Sequence, residues 1–208
     1  KCQNSFRAFV EEAWKIVEPG TPLVPGWHID ALCEHLEAVY RREIRNLIIN
    51  ISPRSSKSTI GAVMFPAWVW AHNEWASRRF MCASYSSSNA VRDGVKMRNV
   101  IESELYRSTF NPEWTLSEDQ NQKLKFENTM KGFRFSTSVG GAVTGEGADY
   151  LIVDDPINAL ESNSVVAREE ANQWWDIAWS TRANNPNAHC KIIIMQRLHE
   201  SDLTGHVK

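Results

Sequence analysis

The spacing of apolar residues changes twice along the chain. Phe6, Phe9, Val10, Ala13, Trp14 and Val17 recur three and four apart, which predicts an amphipathic helix over residues 5–17. Pro19-Gly20 stops it, and Pro22 to Gly26 reads as an extended loop. Ile29, Leu32, Cys33, Leu36 and Val39/Tyr40 mark a second helix that ends in Arg41-Arg42-Glu43. The period then shortens. Leu47-Ile48-Ile49-Asn50-Ile51 is an almost continuous apolar run, the pattern of a strand buried on both faces. Phe80 to Tyr85, Tyr150 to Val153 and Lys191 to Met195 repeat it, with helical patterns between them at 58–72, 87–107 and 165–180. This alternation predicts an α/β fold with a mainly parallel sheet flanked by helices. Two weaker strands, Lys123–Asn128 and Gly132–Ser136, are joined by Thr129-Met130-Lys131 and read as a hairpin. The loop from Gly140-Gly141 to Gly147 carries four of the ten glycines and leads into the strand at Tyr150.

Composition narrows the picture without changing it. At 42% hydrophobic and 23% charged residues, the 208-residue chain can build a real core. Disordered, collagen-like and disulfide-stapled classes are excluded. A net charge of −2 excludes an overall cationic coat but leaves room for a local basic patch. No apolar stretch approaches the ~20 residues of a membrane span. The longest, Ile60 to Ala71, contains Pro66. The first apolar segment carries Glu11, Glu12 and Lys15, unlike a signal peptide. Position 1 is Lys, so the chain is expected to be trimmed from a longer one. Cys2, Cys33, Cys82 and Cys190 have neither C-x-x-C nor zinc-finger spacing and are expected to be isolated thiols in a reducing compartment. Tryptophans cluster at Trp68, Trp70 and Trp75 and at Trp174, Trp175 and Trp179; packing on helix faces is preferred there over base stacking.

Three strand ends carry chemistry. The first is Ser52-Pro53-Arg54-Ser55-Ser56-Lys57-Ser58-Thr59, between an apolar strand and an apolar helix. A phosphate loop needs such a junction: backbone N–H groups and a helix N-terminus face the anion, a lysine reaches the β/γ oxygens, and a hydroxyl binds magnesium. The Walker glycine positions hold Ile51 and Ser56, so an ordinary helix cap is the competing reading. Ser56 can stand for glycine if its φ stays negative or the strain is tolerated. The second is Tyr150-Leu151-Ile152-Val153-Asp154-Asp155-Pro156. A nucleotide hydrolase needs one carboxylate for hydrated Mg²⁺ and another for the attacking water; an Asp-Asp-Pro turn is the alternative. The two segments lie about 97 residues apart and are expected on neighbouring strands of one sheet. The third is Met195-Gln196-Arg197-Leu198-His199, where Gln196 can bond the γ-phosphate or water, or be a surface side chain.

Taken together, these segments resemble the large terminase subunit of tailed bacteriophages. Ser52-Pro53-Arg54-Ser55-Ser56-Lys57-Ser58 is similar to that family's deviant Walker A, with Pro66-Ala67-Trp68 downstream. Gly140-Gly141, Thr144-Gly145 and Gly147-Ala148-Asp149 running into Asp154-Asp155-Pro156 are similar too. So are Gln196 to Gly205, close to the family's coupling motif, and Trp27-His28 followed by Arg45 to Asn50 on the approach to the loop. The resemblance covers nearly the whole chain.

It implies a P-loop NTPase of the RecA-like, additional-strand catalytic-glutamate branch. Residues 1–44 would be a helical segment packing on the motor and lining the adenine side, and 45–208 the ATPase core. The C-terminal nuclease of the family would be absent, so DNA cleavage is not expected. ATP would lie on Pro53, Arg54, Ser55, Ser56, Lys57, Ser58 and Thr59, with Trp27 and His28 on the adenine side. Mg²⁺ would be held by Ser58 and Asp154. Lys57 and Arg54 would meet the γ-phosphate charge, Asp155 would take the catalytic-carboxylate role, and Gln196 would couple hydrolysis to movement. The implied partners are double-stranded DNA, the portal protein, the small terminase subunit and further copies in a ring on the capsid, the isolated chain being free to remain a monomer. No membrane is involved, and the site of action is the host-cell cytoplasm. Arg92, Lys96 and Arg98, with the polar loop Ser84–Asn89, are candidates for DNA phosphates; a solvated helix face is the other reading.

The chain departs from the family's pattern at three points. Ser56 replaces a glycine, Asp155 stands where glutamate is common, and Glu146 stands where many relatives carry an arginine. The trans-acting arginine is left open between Arg134 and Arg182. Two other classes share parts of this pattern: another RecA-type nucleic-acid ATPase or helicase, and a nucleotide-binding scaffold without catalysis.

Overall fold

A computed structural model describes residues 1–143, 145–185 and 188–208; Thr144 of the glycine loop lies outside them. Helix α1 spans Phe6–Val17, capped by Ser5, whose side chain accepts from the Ala8 N–H. Helix α2 spans Trp27–Tyr40. Strand β1, Asn46–Asn50, leads through the loop into a π-type segment, Thr59–Met64, continuous with α3, Phe65–Trp70. Then come β2 (Phe80–Ser84), α4 (Ser87–Glu102) and α5 (Glu104–Phe110). Strands β3 (Leu116–Asn121), β4 (Lys125–Asn128), β5 (Phe133–Ser138) and β6 (Tyr150–Asp154) follow. The last elements are α6 (Val165–Trp174), a π-type turn (Trp175–Trp179), β7 (Cys190–Met195) and α7 (Leu203–Val207).

The strands form one sheet in the order β1-β7-β6-β2-β5-β4-β3. The first five are parallel, and β4 pairs antiparallel with both β5 and β3. The sheet is buried on both faces because successive side chains alternate. Phe80, Cys82, Tyr150, Ile152, Ile192 and Ile194 enter a core shared with α1 to α5. Met81, Ala83, Leu151, Val153, Ile193 and Met195 enter a second core with Trp174, Trp175, Trp179 and Leu203. Residues of α1 and α2 belong to the same core as α3 and α4. Gly61 allows the helix after the loop to lie close on β7: a Cβ there would stand 2.3 Å from Ile194 Cδ1.

Several expectations need correction. β1 and β6 are not neighbours; β7 lies between them, parallel to both. The helix at 87–107 is two helices, because Ser103 takes extended backbone and caps α5 by accepting from the Tyr106 N–H. Strand β3 is not predicted by the apolar pattern, since Leu116-Ser117-Glu118-Asp119-Gln120-Asn121 has one apolar residue and lies on an exposed edge. The hairpin is present as β4 and β5, with Lys131 at φ +68° in its turn, but β5 runs on to Ser138 and pairs parallel with β2. The clustered tryptophans pack inside: Trp70 and Trp179 are fully buried, and Trp174 stacks on Trp179 at 4.9 Å. The four cysteines are free.

Candidate nucleotide site

The β1/β7 pairing runs one residue past β1, with the Ile51 N–H donating to Met195 O at 3.1 Å. The chain then turns. Ser55 Oγ donates to Ser52 O at 2.8 Å. Arg54 and Ser56 take φ of +61° and +63°, with Ser55 between them outside the left-handed region. Alternating handedness of this kind turns successive N–H groups into one concavity that suits an anion. The Ile60 N–H donates to Ser56 O at 2.9 Å, and a helix follows directly. Ser56 therefore does not keep a negative φ; the loop tolerates the strain. Left-handed backbone costs a non-glycine residue about 1–2 kcal/mol. Ser56→Gly is accordingly expected to raise the urea midpoint, net of glycine's entropy in the unfolded chain, with no loss of nucleotide affinity. An unchanged or lowered midpoint would count against strain at this position.

Lys57, 6% exposed, places Nζ 3.0 Å from Asp155 Oδ2, and the Asp155 side chain is 34% exposed. Asp155 takes φ +42° just beyond β6. Its N–H donates to Ile194 O at 2.8 Å, its carbonyl accepts from the Tyr85 N–H at 3.0 Å, and its Oδ1 accepts from the Gln196 N–H at 3.1 Å. The ends of β2, β6 and β7 thus meet at one residue, whose carboxylate takes the Gln196 N–H and the Lys57 ammonium. The inserted strand β7 brings the Gln196 backbone to Asp155, between the lysine's strand and the acids' strand.

Asp154 is buried at the end of β6. Burial, then the neighbouring Asp155 charge, pushes its carboxyl up to about 7, while Ser58 and Lys57 pull it back. Its Oδ1 has no hydrogen-bond partner among the described residues. A buried carboxyl that Ser58 bonds, with one oxygen left unpartnered, is a donor set for a hard cation. Among the described residues, no group of three or more His, Cys, Asp or Glu could hold a metal ion. A carboxylate and a hydroxyl are the kind of oxygen donors that fit Mg²⁺, which takes few protein ligands and fills its shell with water and phosphate oxygens.

The other expected residues fall around this centre. Pro53 and Arg54 are exposed on the loop's rim, and Thr59 is half-buried in the first turn of the helix. Trp27 is 81% exposed and lies edge-on to His28, at 6.3 Å. Both line a cavity of about 200 Å³ beside Asn50 and Ile51, where the loop begins. Another cavity, of about 470 Å³ between α1 and the 18–25 loop, contains none of these groups. Of the basic α4 residues, Arg92 is half exposed and pairs with Asp93 at 3.0 Å. Lys96 is tied to Glu18, and Arg98 donates to Gln122 O while lying over the Phe126 ring. Arg134 is fully buried and cannot reach another subunit. Arg182 is half-buried, its guanidinium on Thr181, and Glu146 pairs with Lys125 at 2.6 Å.

Sequence reasoning missed what holds the Gln196 segment. Asp202, 2% exposed, accepts from the Leu198 and His199 N–H groups and from Arg197 Nε through Oδ2, and from the Gly205 N–H through Oδ1. Thr204 donates to Asn50 Oδ1 at 3.0 Å, tying that segment to the end of β1. The readable signal was Asp202 just ahead of a helical turn, an N-cap position.

A sheet with a strand inserted between the loop strand and the acidic strand, helices on both faces, and these groups at the strands' carboxyl ends defines an additional-strand, P-loop-type α/β fold. No family model and no curated protein matches the sequence. Among solved structures, the HK97 bacteriophage large terminase shares the fold, with a TM-score of 0.56 and 13% identity over 97% of this chain. The chain spans 39% of that protein's length. A mutant ATPase domain of a Thermus phage large terminase aligns at a TM-score of 0.47 and 14% identity, over 84% of this chain and 71% of that one.

Proposed function

We propose that the chain is the ATPase motor domain of a viral terminase large subunit, hydrolysing ATP with Mg²⁺ to move double-stranded DNA into a procapsid. The observation that carries this reading is the meeting of Lys57 with Asp155 at 3.0 Å, beside a buried Asp154 oxygen that lacks a partner among the described residues. The shared fold with a large terminase supports it.

In this reading the phosphates enter the loop's N–H concavity and take Lys57 from Asp155. Asp155, released, accepts a hydrogen bond from the attacking water and orients it, still held through its Oδ1 by the Gln196 N–H. Asp154 and Ser58 would hold Mg²⁺, which supplies charge neutralisation at the β and γ oxygens. Arg54 meets the γ-phosphate from the rim. Gln196 senses the γ-phosphate, and its segment is anchored by Asp202 and Thr204. The adenine lies against Trp27 and His28. Stacking on an aromatic face contributes about 1–3 kcal/mol per base, so Trp27→Ala is expected to weaken ATP binding by one to two orders of magnitude without moving the urea midpoint. ATP affinity unchanged in titration calorimetry would remove Trp27 from the site.

DNA phosphates are assigned first to Arg92, whose paired side chain is still half exposed, and to the polar loop Ser84–Asn89, ahead of the tied Lys96 and Arg98. The portal protein, the small subunit and a ring of copies are the proposed partners, and the host cytoplasm the proposed location. Among the described residues no helix is long and apolar enough to cross a membrane. A neighbouring copy would supply the arginine finger, worth roughly 10³–10⁵ in rate; Arg182 remains the candidate. The isolated chain should therefore turn over slowly. Magnesium-dependent ATP binding with slow hydrolysis is the expected result. Absence of binding would establish a scaffold instead, and unwinding of a tailed duplex a helicase.

A further inference from the structure

The helix after the loop runs Thr59-Ile60-Gly61-Ala62-Val63-Met64-Phe65-Pro66. In an α-helix the N–H of residue 66 would close on the carbonyl of residue 62. Proline has no N–H, and its ring crowds that carbonyl. The chain adopts the wider π-type turn over Thr59–Met64, closed by the Phe65 N–H donating to Ile60 O. The Ala62 carbonyl accepts from Arg134 Nη1, which reaches it from β5 across the core. Beyond this bond, the acceptor Arg134 meets among the described residues is a weak one, Met97 Sδ at 3.9 Å. Its Nε and Nη2 have no partner among the described residues. Gly94 of α4 makes room for it: a Cβ there would stand 3.2 Å from Arg134 Nε. A fully buried cation without an acid is expensive. What this one does is occupy the carbonyl that Pro66 leaves without its α-helical donor.

We propose that Arg134 is a positioning residue for the phosphate loop: it holds the π pitch of the helix that begins at Lys57, and so sets where Lys57 and Ser58 stand. A relapse toward α pitch shifts the chain by up to one residue's rise, about 1.5 Å. Misplacing a catalytic group by about 1 Å can cost roughly 10²-fold in rate. The catalytic half of this inference rests on the ATPase reading; the pairing of Arg134 with the proline-vacated carbonyl does not.

The test is a cycle of Arg134→Met, Pro66→Ala and the double variant, followed by urea unfolding and by kcat/KM for Mg·ATP. In Pro66→Ala the backbone regains its own donor at that position, so the cost of Arg134→Met should shrink. The two positions should couple by roughly 5- to 100-fold in the unfolding constant. Arg134→Met should lower kcat/KM by about 10²-fold; adding Pro66→Ala should restore stability but not kcat/KM, because the regained donor closes the helix at α pitch. If Arg134→Met alone does not fold, folding of the double variant is itself the rescue. Additive effects on unfolding, or a double variant no more stable than Arg134→Met, overturn the pairing, and a double variant with wild-type kcat/KM overturns the role of the π pitch. Coupling in stability with kcat/KM untouched overturns the positioning role. A wild-type chain that binds no ATP overturns the ATPase reading, while the unfolding cycle still decides the pairing.

Discussion

In Asp155→Asn, ATP turnover is expected to fall by about 10²–10⁴-fold, the usual worth of a positioned general base, while Mg·ATP binds at least as tightly as in the wild type. Lys57→Ala should lose both. The asymmetry follows from the ion pair. Before nucleotide arrives, the Lys57 ammonium is held by Asp155 Oδ2 at 3.0 Å, so the carboxylate competes with the phosphates for it. A neutral asparagine competes less, and binding gains what turnover loses. Lys57→Ala removes the cation that the phosphates need, and nothing else in the loop replaces it at that point. Stability should separate the two variants as well. Lys57 is almost buried, so Asp155→Asn strands a charge; breaking such a pair costs up to about 3–5 kcal/mol, less here because Asp155 is a third exposed. Lys57→Ala leaves a carboxylate that water can reach, and should unfold closer to wild type. Saturating Mg·ATP should return most of the midpoint lost in Asp155→Asn, because phosphate takes the carboxylate's place beside Lys57. Normal turnover in either variant, or equal loss of affinity in both, would remove this ion pair from the chemistry.

How far the chain could be read before its structure depended on which interactions were local. Leu47 to Ile51, Tyr150 to Val153 and Lys191 to Met195 were legible as parallel strands, because burial on both faces writes itself as continuous apolar runs. Their order was not legible. Nothing local in Cys190–Met195 says that it lies between β1 and β6, yet that insertion is what delivers the Gln196 backbone to Asp155. Backbone handedness was equally hidden. Ser56 and Arg54 carry ordinary side chains, and their left-handed φ is held by the loop's surroundings. Arg134 misled for a third reason. In Phe133-Arg134-Phe135-Ser136 the alternation reads as apolar inward and polar to solvent, but α4 covers the polar face, with Gly94 leaving room for the guanidinium. The edge strand β3 escaped notice because exposure on an edge removes the apolar pattern that identifies strands.

The second large effect belongs to Asp154→Asn, and it runs in opposite directions for stability and for catalysis. The Asp154 carboxyl titrates at about 7 in the fold, against an ordinary value of 3.8, chiefly because it is buried and then because Asp155 stands beside it. Between those two values the folded chain holds a proton that the unfolded chain has released. Stability must therefore fall as pH rises from about 4 to 7, and level off above. A rise of that size corresponds to roughly 4 kcal/mol at most. Asparagine has no such charge to bury, so the variant should match wild type near pH 4 and be the more stable of the two at pH 8. Urea midpoints measured across that range would expose the difference; parallel curves would show that Asp154 ionises freely. The cation reverses the sign. On the proposed reading Mg²⁺ would bind the ionised form, so wild-type affinity for Mg·ATP should climb about tenfold per pH unit below 7 and flatten above it. The variant should show neither the climb nor turnover. A residue that weakens the empty fold at the pH where it is needed, and recovers that loss only when Mg²⁺ with nucleotide arrives, belongs to the site rather than to the scaffold.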